Sequence, residues 1–310
     1  MSREHFTHSE TRSLFQKLER LSQRSGVSRG QAFEDLLTAV VCALAAETKE
    51  EEYLAMVERH KGGKTGKRGI DLMPEMFADL IAAMDRNESD ILGDLFQGSI
   101  TYGESGQYFS PQSIARLLAE LSVDPDAHPV EGRPVYISDP CCGTGRMLLE
   151  ASNINPHAEL IGVDIDARCA KISAINLGLR GRYGWVVCGN SLSGETQFAY
   201  RVGSFFHESP NGLRRGVIRD VPPELAPVMM ATEHVRSEAG GLFAGGKSES
   251  QPVESLPPGI IEIPRSVLRL ERHLAMSSSC EEADSGELDS NSSSHGDLPR
   301  NEPPTQQDLF

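Results

Sequence analysis

The feature that most constrains this chain is the joint Asp139-Pro140-Cys141-Cys142-Gly143-Thr144-Gly145, which ends the short apolar run Val135 to Asp139 and opens a helical pattern from Gly145 to Ala151. Glycines at such a joint let the backbone approach a ligand, in the crevice where strands point their carboxyl ends. The alternation then repeats. Leu160 to Ile165 reads as a second strand, Cys169 to Gly178 as a second helix and Trp185 to Cys188 as a third strand. Strand, helix, strand, helix, strand with short links predicts an α/β fold that begins a parallel, doubly wound sheet.

The chemistry of the joint narrows the ligand. A dinucleotide fingerprint wants a third glycine at position 148, which is Leu148, and no Gly-Lys-Ser/Thr follows for a phosphate loop. An acid at the turn would repel a pyrophosphate. It suits a cationic group, such as the one in the amino-acid portion of S-adenosylmethionine. The second strand ends Gly162-Val163-Asp164-Ile165-Asp166, placing a carboxylate where two ribose hydroxyls could donate to it. The third ends Cys188-Gly189-Asn190, whose amide could meet the edge of an adenine or simply shape a turn.

Before the sheet the pattern is helical. Leu14, Phe15, Leu18 and Leu21 share one face, and Phe33, Leu36, Leu37, Val40, Val41 and Leu44 form a wider stripe opened by the capping pair Ser28 and Gln31. A third helix is expected around Tyr53, Met56 and Val57, and a fourth carries Met76, Phe77, Leu80, Ile81 and Met84. Between them His60 to Gly69 forms a glycine-rich basic loop, which could touch phosphate but reads more simply as a solvated connector. Ser110 before Pro111 marks another helix start, with the hydroxyl as cap and Ile114, Leu117, Leu118 and Leu121 as the expected buried face.

After Asn190 the pattern weakens to short apolar pieces, Gly216 to Val221 and Ile260 to Ile263. The resulting division is a helical domain over 1–101, a cofactor core over 102–195, apparently truncated after its third strand, an irregular α/β extension over 196–275 and an acidic tail over 276–310. The tail holds eight acids against Arg300 alone and is rich in serine, so disorder is expected there. It carries nearly half of the chain's net charge of −15. Of the 30 basic residues only seven are lysines. A high-salt cytoplasm would favour such a balance, and genomic base composition could produce the same arginine bias. No apolar run nears the ~20 residues that span a bilayer and the start lacks the apolar core of a signal peptide, which points to the cytoplasm. The six cysteines show no Cys-x-x-Cys spacing, so neither a zinc ribbon nor a disulfide framework is indicated.

Three motifs in one register carry a resemblance: Asp90-Ile91-Leu92-Gly93-Asp94-Leu95-Phe96, Gly106-Gln107-Tyr108-Phe109-Ser110-Pro111, and Asp139 through Leu148. Together they resemble adenine-specific DNA methyltransferases of the type I modification-subunit kind, from roughly Phe33 to Ser193. The resemblance implies a Rossmann-like core that binds S-adenosylmethionine. Phe109 would pack on its methionine part, Asp139 with Gly143 and Gly145 hold its amino-acid end, Asp164 take the ribose and Asn190 lie by the adenine, with Ser110 and Ile165 as further cofactor-binding residues. DNA is the implied substrate, with a specificity or catalytic partner subunit as a further implied partner.

One motif departs from that family. Its adenine methylases carry Asn, Asp or Ser, then Pro-Pro and an aromatic residue, because the exocyclic amine is a poor nucleophile whose hydrogens need acceptors while a ring holds the flipped base. Val221-Pro222-Pro223-Glu224, Leu256-Pro257-Pro258-Gly259 and Glu302-Pro303-Pro304-Thr305 all fail that pattern. Asn211 and Asp220 are the remaining polar candidates for the acceptor. The leading expectation is therefore a DNA adenine methyltransferase. The alternative is a cofactor-binding, catalytically deficient subunit that acts on DNA with a partner; a small-molecule methyltransferase is disfavoured by the helical domain. The final Gln306-Gln307-Asp308-Leu309-Phe310 resembles peptides that dock on sliding clamps, with Gln306 in a polar notch and Leu309 and Phe310 in an apolar pocket, although five residues match by chance often.

Overall fold

The computed structural model describes residues 6–87, 89–100, 110–129, 134–209 and 212–227. Phe109, Asn211, Ile260 to Ile263 and the whole acidic tail, with Gln306, Leu309 and Phe310, lie outside the described residues. Contacts divide the chain into Met1–Gly246 and Lys247–Phe310, and everything described belongs to the first of these.

The amino-terminal part is α1 (Ser9–Ser25), α2 (Arg29–Leu44), α3 (Glu50–His60), α4 (Met73–Arg86) and α5 (Ile91–Ser99). Their stripes bury as the spacing predicts: Leu14, Phe15, Leu18 and Leu21 of α1 are in the core with Phe33, Leu36, Leu37, Val40 and Val41 of α2. Ile81 and Tyr53 are the exceptions, both turned outward. Ser28 caps α2 by accepting a hydrogen bond from the Gln31 amide at 3.1 Å. Polar groups then lock three helices together. The His60 ring, fully buried, is hydrogen-bonded to Ser25 Oγ at 2.7 Å and to Asp35 Oδ2 at 2.8 Å, and Arg59 closes on the same carboxylate. A buried charge paired and hydrogen-bonded in this way fixes helix register more than it adds stability.

The α/β part contains α6 (Gln112–Ser122), β1 (Tyr136–Asp139), α7 (Arg146–Ile154), β2 (Glu159–Asp164), α8 (Ala167–Leu179), β3 (Gly184–Gly189), β4 (Thr196–Ser209) and β5 (Gly212–Val221). The five strands form one sheet in the order β1-β2-β3-β4-β5. The pairs β1–β2 and β2–β3 are parallel, while β3–β4 and β4–β5 are antiparallel. Because both crossovers step the same way across the sheet, right-handed connection puts α7 and α8 side by side on one face. The described strands contain no reversal of order: β1 to β3 form one wound unit with its helices on one face, and the sheet that continues from it is mixed instead of parallel. The opposite face holds a smaller cluster of Val163, Val187, Ala199 and Ala226, flanked by Trp185.

The parallel run does end at β3, but the stretch read from sequence as irregular is a long hairpin, β4 and β5. A shift of register between Val202 and Phe205 and a positive φ of 148° at Gly203 break its strand periodicity, which hid it. Among the described residues no helix is long and apolar enough to cross a membrane.

The reading of α6 needs correction. Pro111 takes the cap position with an extended ψ of 147°, no side chain caps the helix, and the Ser110 carbonyl instead accepts from Arg146 Nη1 at 2.6 Å. Its buried residues are Ala115 and Ala119, whose small side chains let α6 lie close against α7. Ile114, Leu117, Leu118 and Leu121 are 45, 50, 39 and 75% exposed. The physical reason is the sheet's extent: α7 covers β1 and β2, α6 packs beside α7, and the described sheet stops at β1. A helix with no strand beneath it buries only the side that meets its neighbour.

Candidate functional site

The carboxyl ends of β1 and β2 lie one strand spacing apart, with Asp139 opposite Gly162 and Asp164 two residues further on. Between them the chain makes a tight turn that continues strand-like bonding, the Cys142 amide donating to the Val163 carbonyl at 2.9 Å. Gly143 and Gly145 take φ of 54° and 82°, which a side chain would oppose. At Gly145 space adds to conformation, since a Cβ there would stand 2.6 Å from Ser173 Oγ of α8.

This turn lines a half-open cavity of about 190 Å³ together with Asp139, Asp164, Ser110 and Arg146. Asp164 is the organising group. Its Oδ2 accepts from the Gly143 amide at 2.8 Å and its Oδ1 from the Asp166 amide at 2.8 Å. Burial raises its pKa above the usual carboxylate value, and those two amide bonds offset part of that rise. Asp139 is held more lightly, its Oδ1 accepting from the Cys141 amide at 3.0 Å. Ile165, next to Asp164, is 64% exposed, an apolar side chain presented at a strand end. The thiol of Cys142 is the opposite case: burial pushes its pKa far above the ordinary range and leaves it inert.

The remaining expected residues lie apart. Asn190 follows β3 and does not line the cavity; its Oδ1 accepts from the amides of Leu192 at 2.9 Å and Ser193 at 3.3 Å, closing a local turn. Asp220 sits on β5 opposite Tyr200, four strand spacings from β1, on the order of 19 Å. Its Oδ2 accepts from Lys49 at 2.6 Å. Thr144, Met147 and Cys169 also line the cavity. Their roles could not be read from residue type, since threonine, methionine and cysteine are ordinary core residues. A larger space of about 430 Å³ lies between Arg116, Glu120, Asn153 and Arg182, at the end of α7 that leads back into β2. It holds no glycine turn and faces away from the strands' carboxyl ends.

Acid-tipped parallel strands flanking a glycine turn that opens a helix are the arrangement of a Rossmann-like core. Residues 87–197 of the chain match the N-6 DNA methylase family, the family that its motifs resemble. No curated protein matches the chain significantly. Among solved structures, a protein from Listeria monocytogenes described as a class I S-adenosylmethionine-dependent methyltransferase is similar at 18% identity and a TM-score of 0.34, over 56% of this chain and 51% of that one. A type I restriction-modification methyltransferase subunit from Streptococcus thermophilus is similar at 12% identity and a TM-score of 0.31, over 57% of each chain. The chain thus spans little more than half the length of either protein.

Proposed function

We propose that the protein is an S-adenosylmethionine-dependent DNA methyltransferase specific for the N-6 amine of adenine, working in the cytoplasm. The observation that carries this reading is the pair Asp139 and Asp164 around the Gly143 to Gly145 turn, inside the stretch that matches N-6 DNA methylases. The donor set fits the cofactor. Asp139 offers a carboxylate to its ammonium group, and Asp164 keeps unused lone pairs for ribose hydroxyls after accepting its two backbone bonds. Ile165 offers an apolar surface to the nucleoside part of the cofactor. Bound there, S-adenosylmethionine supplies a methyl group made electrophilic by its sulfonium.

The amine of the target base needs hydrogen-bond acceptors beside that methyl group. No described residue of the cavity is placed for that role beyond the two aspartates assigned to the cofactor, and Asp220 is committed to Lys49. In this reading the acceptor comes from outside the described residues, on this chain or on a partner subunit. The test is to incubate the purified protein with methyl-labelled cofactor and DNA at low and high salt. Label recovered as N-6 methyladenine supports the proposal. Cofactor binding without label in DNA, by the protein alone, would instead favour the catalytically deficient subunit that needs a partner.

A further inference from the structure

Asp90 has no part in the reading above, yet it is the most heavily bonded carboxylate near the cavity. It is almost wholly buried at the start of α5, and four donors converge on it, one each from α5, the glycine turn, α7 and α8. Its Oδ1 accepts from the Gly93 amide at 2.7 Å, capping α5, and from Asn176 Nδ2 of α8 at 2.8 Å. Its Oδ2 accepts from the Thr144 hydroxyl in the glycine turn and from Arg146 Nη2, at the head of α7, at 3.4 Å. Asn176 Nδ2 also donates to the Thr144 carbonyl at 2.9 Å, so the threonine is gripped at both its side chain and its backbone. Only an ionised carboxylate accepts all four donors at once; an amide in its place would turn its NH₂ toward two of them.

We propose that Asp90 is the positioning residue of the cofactor turn, fastening the helical part of the chain to Thr144 so that the turn keeps the shape in which the Gly143 amide holds Asp164 and the Gly145 amide closes on the Cys142 carbonyl. This rests on the assignment of the cavity to S-adenosylmethionine. Thr144 lies between the two positive-φ glycines, where its hydroxyl joins the turn to Asp90 while Asn176 holds its carbonyl. An N-cap alone would need only the Gly93 bond. The other three bonds run to the turn and to the two helices that flank it, and the same carboxylate neutralises part of the charge of Arg146, which itself lines the cavity. Binding in the cavity and the seating of α5 are therefore coupled through one side chain.

The experiment compares the full-length protein with Asp90→Asn, Thr144→Val and the double variant, using calorimetry with S-adenosylmethionine and amide hydrogen exchange across Gly143 to Gly145. The expected result is at least a tenfold loss of affinity in each single variant. Exchange at the turn should be faster while β3 to β5 stay protected, and the double variant should be no worse than the weaker single one. Thr144→Ser, which keeps the hydroxyl, should bind like the unaltered protein. A purely structural cap would lower melting temperature without changing affinity or exchange at the turn, and that result overturns the proposal. So would additive losses in the double variant. Should the unaltered protein bind no cofactor, the cavity assignment fails, and the exchange data still decide by themselves whether Asp90 holds the turn.

Discussion

The two edges of the sheet are finished in opposite ways. At one edge β5 runs ten residues, carries Arg214, Arg215 and Arg219, and is tied to the helical part by Lys49 with Asp220 and by Arg214 with Glu47. Gly216 brings its backbone against the end of α2, where a Cβ would stand 3.0 Å from Ala46 Cβ and 3.1 Å from the Leu44 carbonyl. Charge, length and a covering helix are the ordinary protections of an edge strand. At the other edge β1 has four residues, Tyr136 is exposed, and the neighbouring α6 shows its apolar face to solvent. The lesson is that a hairpin adjacent in sequence closed one edge. Among the described residues nothing adjacent in sequence closes the other.

That contrast can be broken by substitution. The largest effect is expected at Ile218 on the closed edge, buried to within 1% of its surface. Ile218→Ala should lower unfolding free energy by about 3 kcal/mol in urea titration, the usual range for emptying a core site. Gly216→Val comes next, at about 2 kcal/mol, because the new side chain meets Ala46 and a backbone carbonyl that yield poorly. Asp220→Ala should cost less than about 1 kcal/mol, since its pair with Lys49 is largely solvated at the aspartate. It should leave cofactor affinity unchanged, given that Asp220 does not line the cavity. Smallest of all, Leu117→Ser on the bare face of α6 should fall within about 0.5 kcal/mol of the unaltered protein. A loss above about 1.5 kcal/mol there would mean that the face is covered, and the two edges would no longer differ.

How far the sequence could be read follows the same divide. The glycine turn and both acid-tipped strand ends were legible because each residue's chemistry is local: Gly143 and Gly145 for positive φ, Asp164 for a strand end that lines the cavity. The stripes of α1 and α2 were legible because their partners are each other. The face of α6 was misread because periodicity reports which side is apolar, and the sheet's extent decides whether that side is covered. The hairpin escaped because its register shift and Gly203 interrupt the alternation on which strand reading depends. Asp90 escaped for another reason. Its motif was visible, but four donors arriving from Gly93, Thr144, Arg146 and Asn176 are a property of tertiary structure.

The central claim is that Asp139 and Asp164 hold the two ends of one S-adenosylmethionine molecule. Calorimetry on the full-length protein tests it most directly. The account predicts one cofactor per chain and a loss of about 1 to 3 kcal/mol in binding for Asp139→Ala or Asp164→Ala, the cost of removing a charged hydrogen-bond partner. Ribose hydroxyls donate to the ionised form of Asp164, and burial raises the pKa of that group in the free protein. Affinity should therefore fall as pH drops through its raised carboxylate range, and Asp164→Asn should flatten that dependence. No heat at millimolar cofactor, or an affinity that neither substitution changes, would contradict the account.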